Sequence, residues 1–299
     1  DGDKSECLPC ESSAAVPLVL GVVAVLATVV IVLLWLRFEP HRHIGCLARL
    51  SKRLSRLYNQ LSLRAKGKQL LGFYQVATRV ASVYDVPMPD AVKQLLSFFE
   101  LFNINIGGIG LPLQCLGLGT YEQQLATTML APLGVAVLLS LGFFCCGAGL
   151  LAATPWLLSL SFLVFPMVSS AAFQAFSCES FDDGRSYLRA DYAVECGTDV
   201  HASAISLAWL GIALYPVGIS LLYVILLYLA RHAVHDNKPT SLSKALDFLV
   251  RDYEPAYLWW ELAEAWKKLF LVGFAVLIMP GSIEQLIIAF LVSLLFMLL

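Results

Sequence analysis

The chain has 299 residues, 59% of them hydrophobic and 14% charged, with a mean hydropathy of +0.75. Those values exclude an ordinary soluble domain and predict several membrane spans. A net charge of −2 supplies no basic balance for nucleic acid, so no nucleic-acid partner is expected.

The chain opens at Asp1 without a methionine and closes inside an apolar run at Leu299, which reads as a piece of a longer protein. Residues 1–14 carry Cys7 and Cys10 in Glu6-Cys7-Leu8-Pro9-Cys10-Glu11. One Cys-x-x-Cys fits metal, redox chemistry or disulfides alike. Its place before a span, with the basic side opposite, favours the oxidising face and disulfides. Residues 15–38 form the first span, too long and too basic on its C-terminal side for a cleaved signal peptide.

Nine of the 20 Lys and Arg lie in Arg37–Lys68. By the positive-inside rule, residues 39–68 are cytoplasmic and the N-terminus is extracellular. Leu47, Leu50, Leu54, Leu57 and Leu61 recur at helical spacing among Arg49, Lys52, Arg53 and Arg56. That pattern predicts a basic amphipathic helix on the membrane surface, with the anionic inner leaflet as its partner.

The multi-span domain is assigned to residues 69–299. Residues 69–84 are moderately apolar and carry Arg79, residues 85–90 break them, and residues 91–102 form a second helical piece. Asn103-Ile104-Asn105-Ile106-Gly107-Gly108-Ile109-Gly110 follows, and the whole counts as one broken crossing. Irregular backbone at membrane depth is tolerated only inside protein or beside a wet cavity. Asn103, Asn105 and Glu100 are therefore candidate pore or gating residues.

Residues 125–151 and 156–176 are the next spans, joined by a tight turn at Ala152-Ala153-Thr154-Pro155. Residues 177–202 form a polar extracellular loop. Cys178 and Cys196 close it as a disulfide, or either pairs with Cys115 on the same face. Residues 203–229 span inward through Tyr215-Pro216-Val217-Gly218, where Pro216 and Gly218 predict a kink or hinge. Residues 231–267 form a cytoplasmic segment with a short helix opening at Thr240.

That segment ends in Tyr253-Glu254-Pro255-Ala256-Tyr257-Leu258-Trp259-Trp260-Glu261-Leu262-Ala263-Glu264-Ala265-Trp266-Lys267-Lys268. Tryptophans beside carboxylates and lysines, directly before an apolar run, predict an interfacial helix that anchors or couples the next span. Helical spacing puts Glu264 one turn before Lys268, the favourable order for a charge pair. Residues 269–279 and 283–299 complete about seven crossings, with Glu284 at the start of the last one as a further pore candidate. The expected fold is all-α: a polytopic transmembrane helix bundle with interfacial amphipathic helices.

Gly-x-Ser-x-Gly, a phosphate-binding Gly-rich loop with Lys, His-Glu-x-x-His and paired intramembrane aspartates are all absent from the sequence. No catalytic residue, metal site or cofactor is assigned, and the chain is not read as an enzyme.

Lys68-Gln69-Leu70-Leu71-Gly72-Phe73-Tyr74-Gln75, Tyr84-Asp85-Val86-Pro87 and Asn103-Ile104-Asn105 resemble the membrane region of large algal and protist cell-surface proteins. So do Tyr187-Leu188-Arg189-Ala190-Asp191-Tyr192 with Cys196, Tyr215-Pro216-Val217-Gly218, and Tyr257 through Glu264. In that family a long ectodomain ends in cysteine-rich, ephrin-receptor-like repeats, and Cys7-Leu8-Pro9-Cys10 looks like the last of them. Such membrane regions are likened to TRP-like or polycystin-like channels and to G-protein-coupled receptors. The resemblance implies a module of a plasma or ciliary membrane, working with its own ectodomain or an extracellular assembly, as a cation channel or mechanosensor in a homo-oligomer. A non-conducting receptor or membrane anchor is the alternative. A transporter would want an internal repeat, and none is present.

Overall fold

The computed structural model describes residues 63–78, 80–84, 89, 91, 92, 119–145, 147, 149–182, 184–236, 240–278 and 281–298. These residues are mostly helical. The expectations placed on Cys7, Cys10, Arg49, Lys52, Arg53, Arg56, Arg79, Glu100, Asn103, Asn105 and Cys115 lie outside them.

Helix α1 runs Leu63–Ala77 and α2 Val80–Tyr84. Lys68 thus sits inside a helix that continues to Ala77. Helices α3 (Tyr121–Cys145) and α4 (Leu150–Gln174) form a hairpin. Its turn holds Gly147 and Gly149 at φ +73° and +76°, a region glycine enters without a Cβ clash. The turn therefore falls before Leu150, and Ala152-Ala153-Thr154-Pro155 lies within α4. Pro155, at the sixth position of α4, offers the Leu151 carbonyl no N–H.

After α4 the chain forms β1 (Cys178–Ser180), β2 (Ser186–Leu188) and β3 (Asp191–Glu195). They pair antiparallel in the order β1-β2-β3, with Cys178 opposite Leu188 and Tyr187 opposite Glu195. This sheet amends the all-α expectation. Tyr187 in β2 and Tyr192 and Val194 in β3 suit strands, and they were hidden by the polarity of the loop.

Helix α5 (Asp199–Ile212) passes through a wide-turn segment, Ala213–Ile219, into α6 (Ser220–His235). Pro216 lacks an N–H, so the hydrogen-bond ladder slips by one residue around it, at the predicted hinge. Ser220 Oγ donates to Pro216 O at 2.5 Å, and Tyr215 donates from its hydroxyl to Met129 O at 2.5 Å. The slip is thereby pinned to α3. Helices α3, α4 and the 37-residue run Asp199–His235 are long and apolar enough to cross a membrane, and they are three among the described residues. This is the build of a membrane protein.

Helices α7 (Ser241–Ala245) and α8 (Asp247–Val250) turn back into the bundle at the end away from the sheet. Thr240 caps α7 in a reciprocal pair with Ser243. Leu246 and Leu249 are fully buried with Leu158, Tyr223, Leu227 and Ala230. Helix α9 (Trp260–Val272) follows a short 3₁₀ turn, Pro255–Tyr257, and is too short to cross a membrane by itself. A second 3₁₀ turn, Phe274–Leu277, and α10 (Ile283–Leu298) complete the chain. Helix α4 is the inner member, packed by α3, α5, α7, α8 and α9. Gly273 lets α9 press on it: a Cβ there would meet Leu269 O at 2.7 Å and the Phe173 ring at 2.8 Å.

Candidate functional site

Charge in this bundle concentrates where α1, α4 and α9 meet. Glu261, in the first turn of α9, is 1% exposed. Lys68 of α1 donates to its Oε2 at 2.5 Å, and Tyr253 donates to the same oxygen at 3.0 Å. Lys68 Nζ also donates to Phe248 O at 3.2 Å, and Asp252 lies 4.0 Å away. The ammonium sits 4.5 Å from the centroid of Phe248, a cation–π arrangement. One lysine therefore ties α1 to α8, to the loop after it and to α9.

Lys268, two turns along α9, is a second buried cation, 6% exposed. Its Nζ lies 3.9 Å from the centroid of Phe162, at the middle of α4. Gly72 of α1 makes room for it, since a Cβ there would come within 2.7 Å of Nζ. Burial pushes the Lys268 ammonium down to about 8, against the upward pull of Glu261 and Glu264 and with a further push from Lys68. The Tyr253 hydroxyl is pushed up, first by burial and then by the Glu261 charge it faces. Glu261 Oε1 is buried and has no hydrogen-bond partner among the described residues. Lys68 thus pairs with this carboxylate, the Lys268 charge feels it only at longer range, and one carboxylate oxygen is unused.

The expected Glu264–Lys268 pair does not form. Glu264 pairs with Lys267 at 2.6 Å, leaving Lys268 to turn inward over Phe162. The two faces of α9 and its N-terminal flank differ in burial. Trp259 and Trp266 are about half exposed, whereas Glu261 and Lys268 face the bundle. Charge on an apolar helix reads as surface by composition; here it lies inside because α1 brings a counter-ion from far along the chain. Lys68, Gln75 and Phe162 were missed for this reason. Gln75 donates to Leu163 O at 3.0 Å and so fixes α1 along α4. The Gly72 of the aromatic-flanked Lys68–Gln75 run was the available signal.

The hinge residues lie apart from this site, with Pro216 buried and Gly218 half-buried in the wide-turn segment. Glu284 is exposed in the first turn of α10. Its neighbour Gln285 is the buried one, donating to Val83 O at 2.9 Å and Ala275 O at 2.7 Å. At the sheet end, Cys178 and Cys196 form a disulfide, which selects between the alternatives the sequence left open. His201 lies against it with both ring nitrogens occupied, Nδ1 accepting from Gly197 N and Nε2 donating to Ala175 O. That ring clamps the sheet to the ends of α4 and α5, and with its cysteines bonded to each other the trio offers a metal no ligand set.

A cleft of about 500 Å³ opens beside the charged cluster, between α1, α9 and Ser293 of α10. Comparison with known family models, curated proteins and solved structures finds no match for this chain.

Proposed function

We propose that the chain is the membrane module of a large cell-surface protein and works as a cation channel or mechanosensor whose coupling element is α9. The observation that carries this reading is the buried Lys68–Glu261 pair with Lys268 beside it. Ionisable residues inside an apolar bundle are expensive and mark functional elements. This cluster joins α9 to α1, α4 and the α8 end, so a shift of α9 must exchange or stretch charged contacts. Such contacts have discrete arrangements, which suits a two-state gate. The slipped ladder at Pro216 supplies a second adjustable element in the bundle.

In this reading about seven spans cross a plasma or ciliary membrane with the N-terminus outside. The sheet end is extracellular, which agrees with its disulfide. The basic residues Arg49, Lys52, Arg53 and Arg56 then face anionic lipid at the other side. The ectodomain of the resembled algal and protist proteins would pull on the disulfide-closed sheet. That rigid attachment also favours the second reading, a non-conducting receptor or anchor for an extracellular assembly.

The two readings differ in assembly. A channel of this kind closes a ring of about three to five subunits around a central axis. The mass and image of the module in nanodiscs test this directly. A ring is the expected outcome, and a monomer would replace the channel with the anchor.

A further inference from the structure

The cleft between α1 and α9 is lined by three cations, Lys68, Lys267 and Lys268, and by three carboxylates, Asp252, Glu261 and Glu264. Three against three leaves no net charge among the described residues. Two pairs are made inside the protein, Lys68 with Glu261 and Lys267 with Glu264. The remainder is one ammonium and one carboxylate. Lys268 is buried and donates no hydrogen bond among the described residues. Asp252 reaches only the far side of Lys68, at 4.0 Å, with 18% of its side chain exposed. Glu261 Oε1 also lacks a donor.

An unpaired buried ammonium calls for an anion, and carboxylate oxygens without donors call for N–H groups. The other wall is apolar: Val76 and Leu271 line it, and the Phe73 ring, 64% exposed, stands at its mouth. The volume falls within the roughly 300–1,000 Å³ typical of small-ligand sites.

We propose that this cleft binds one phospholipid whose headgroup carries both a phosphate and a primary ammonium, an ethanolamine-type lipid. The phosphate meets Lys268, the ammonium meets Asp252, and the start of an acyl chain lies along Val76, Leu271 and Phe73. The proposal concerns the cleft alone and holds whether or not the module conducts.

The test is native mass spectrometry of the full chain, stripped in detergent and titrated with phosphatidylethanolamine, phosphatidylcholine, phosphatidylglycerol or water-soluble glycerophosphoethanolamine. One ethanolamine lipid per chain should be retained about tenfold better than the choline or glycerol lipid, a difference of about 1.4 kcal/mol. Asp252→Asn, which removes the charge that meets the ammonium, should abolish that preference. Val76→Trp, which fills the cleft without touching a charge, should remove the bound lipid. Equal retention of the three lipids, or unchanged retention in both variants, would overturn the proposal. Equally tight binding of the soluble headgroup would overturn the assignment to a lipid. Because the readout is bound mass, failure here leaves the oligomer test of the channel reading untouched.

Discussion

Glu261→Gln perturbs the charged cluster with almost no change in shape. The amide keeps an oxygen for Tyr253 and Lys68 but loses the charge. Lys68 is then a cation with 11% of its side chain exposed. Removing one partner of a buried ion pair costs about 3–5 kcal/mol, because the other charge is left uncompensated. Asp252 at 4.0 Å and the Phe248 ring at 4.5 Å take up part of that loss. The lower end, about 3 kcal/mol, is therefore expected. The double variant Lys68→Met with Glu261→Met leaves neither charge behind. It should be more stable than Glu261→Gln by at least about 1 kcal/mol, since apolar replacement of a whole buried pair is often neutral. Reversible unfolding in mixed micelles, followed by far-ultraviolet circular dichroism with SDS as denaturant, measures all three proteins. A cost for Glu261→Gln below about 1 kcal/mol would place the pair among weak surface bridges and refute the reasoning.

Three other outcomes follow from the same geometry. Lys268 is held near 8 in the folded chain against 10.5 unfolded, so between those values the unfolded chain binds more protons and stability rises with pH. The stability of the unmutated protein relative to Lys268→Met should climb by roughly 2–3 kcal/mol from pH 8 to 10.5, and parallel pH profiles would contradict this. Gly273→Ala places a methyl against Leu269 O and the Phe173 ring, both fixed by packing, and should cost about 1–3 kcal/mol in the same SDS titration. Cys178→Ser with Cys196→Ser opens a loop with a sequence separation of 18 and should cost about 3 kcal/mol. Limited proteolysis would then cut between β1 and β3 while leaving α4 intact, and an uncut loop would argue that His201 alone holds the sheet.

The apolar hairpin α3–α4, the irregular helical segment at Pro216 and the capped turn at Thr240 were legible in the sequence because each rests on a local rule. Run length, a missing N–H and a hydroxyl at an N-cap are all read from neighbours along the chain. The disulfide was legible as one of several pairings, and proximity selected Cys178 with Cys196. The charged cluster was not legible. Glu261 and Lys268 were visible, but their partner Lys68 lies 193 residues from Glu261, and period alone cannot say which face of α9 turns inward. Glu264 shows the same limit from the other side. Two lysines stood within its reach, and burial of Lys268 under Phe162 decided for Lys267. In the sequence Glu284 carries the charge, but the neighbouring amide of Gln285 makes the buried bonds, because only long-range packing against Val83 and Ala275 decides which of the two turns inward. The small sheet escaped because its strands are three to five residues long, below the length at which alternation speaks.

The coupling role proposed for α9 is the centre of this account, and cation current tests it most directly. The chain, reconstituted in planar bilayers, should carry cation current with steps of one unitary size. Glu261→Gln should change the open fraction severalfold and leave that unitary size unaltered, because the cluster moves the gate without lining the path. Absence of current from a well-folded ring, or a Glu261→Gln variant with an unchanged open fraction, would contradict it.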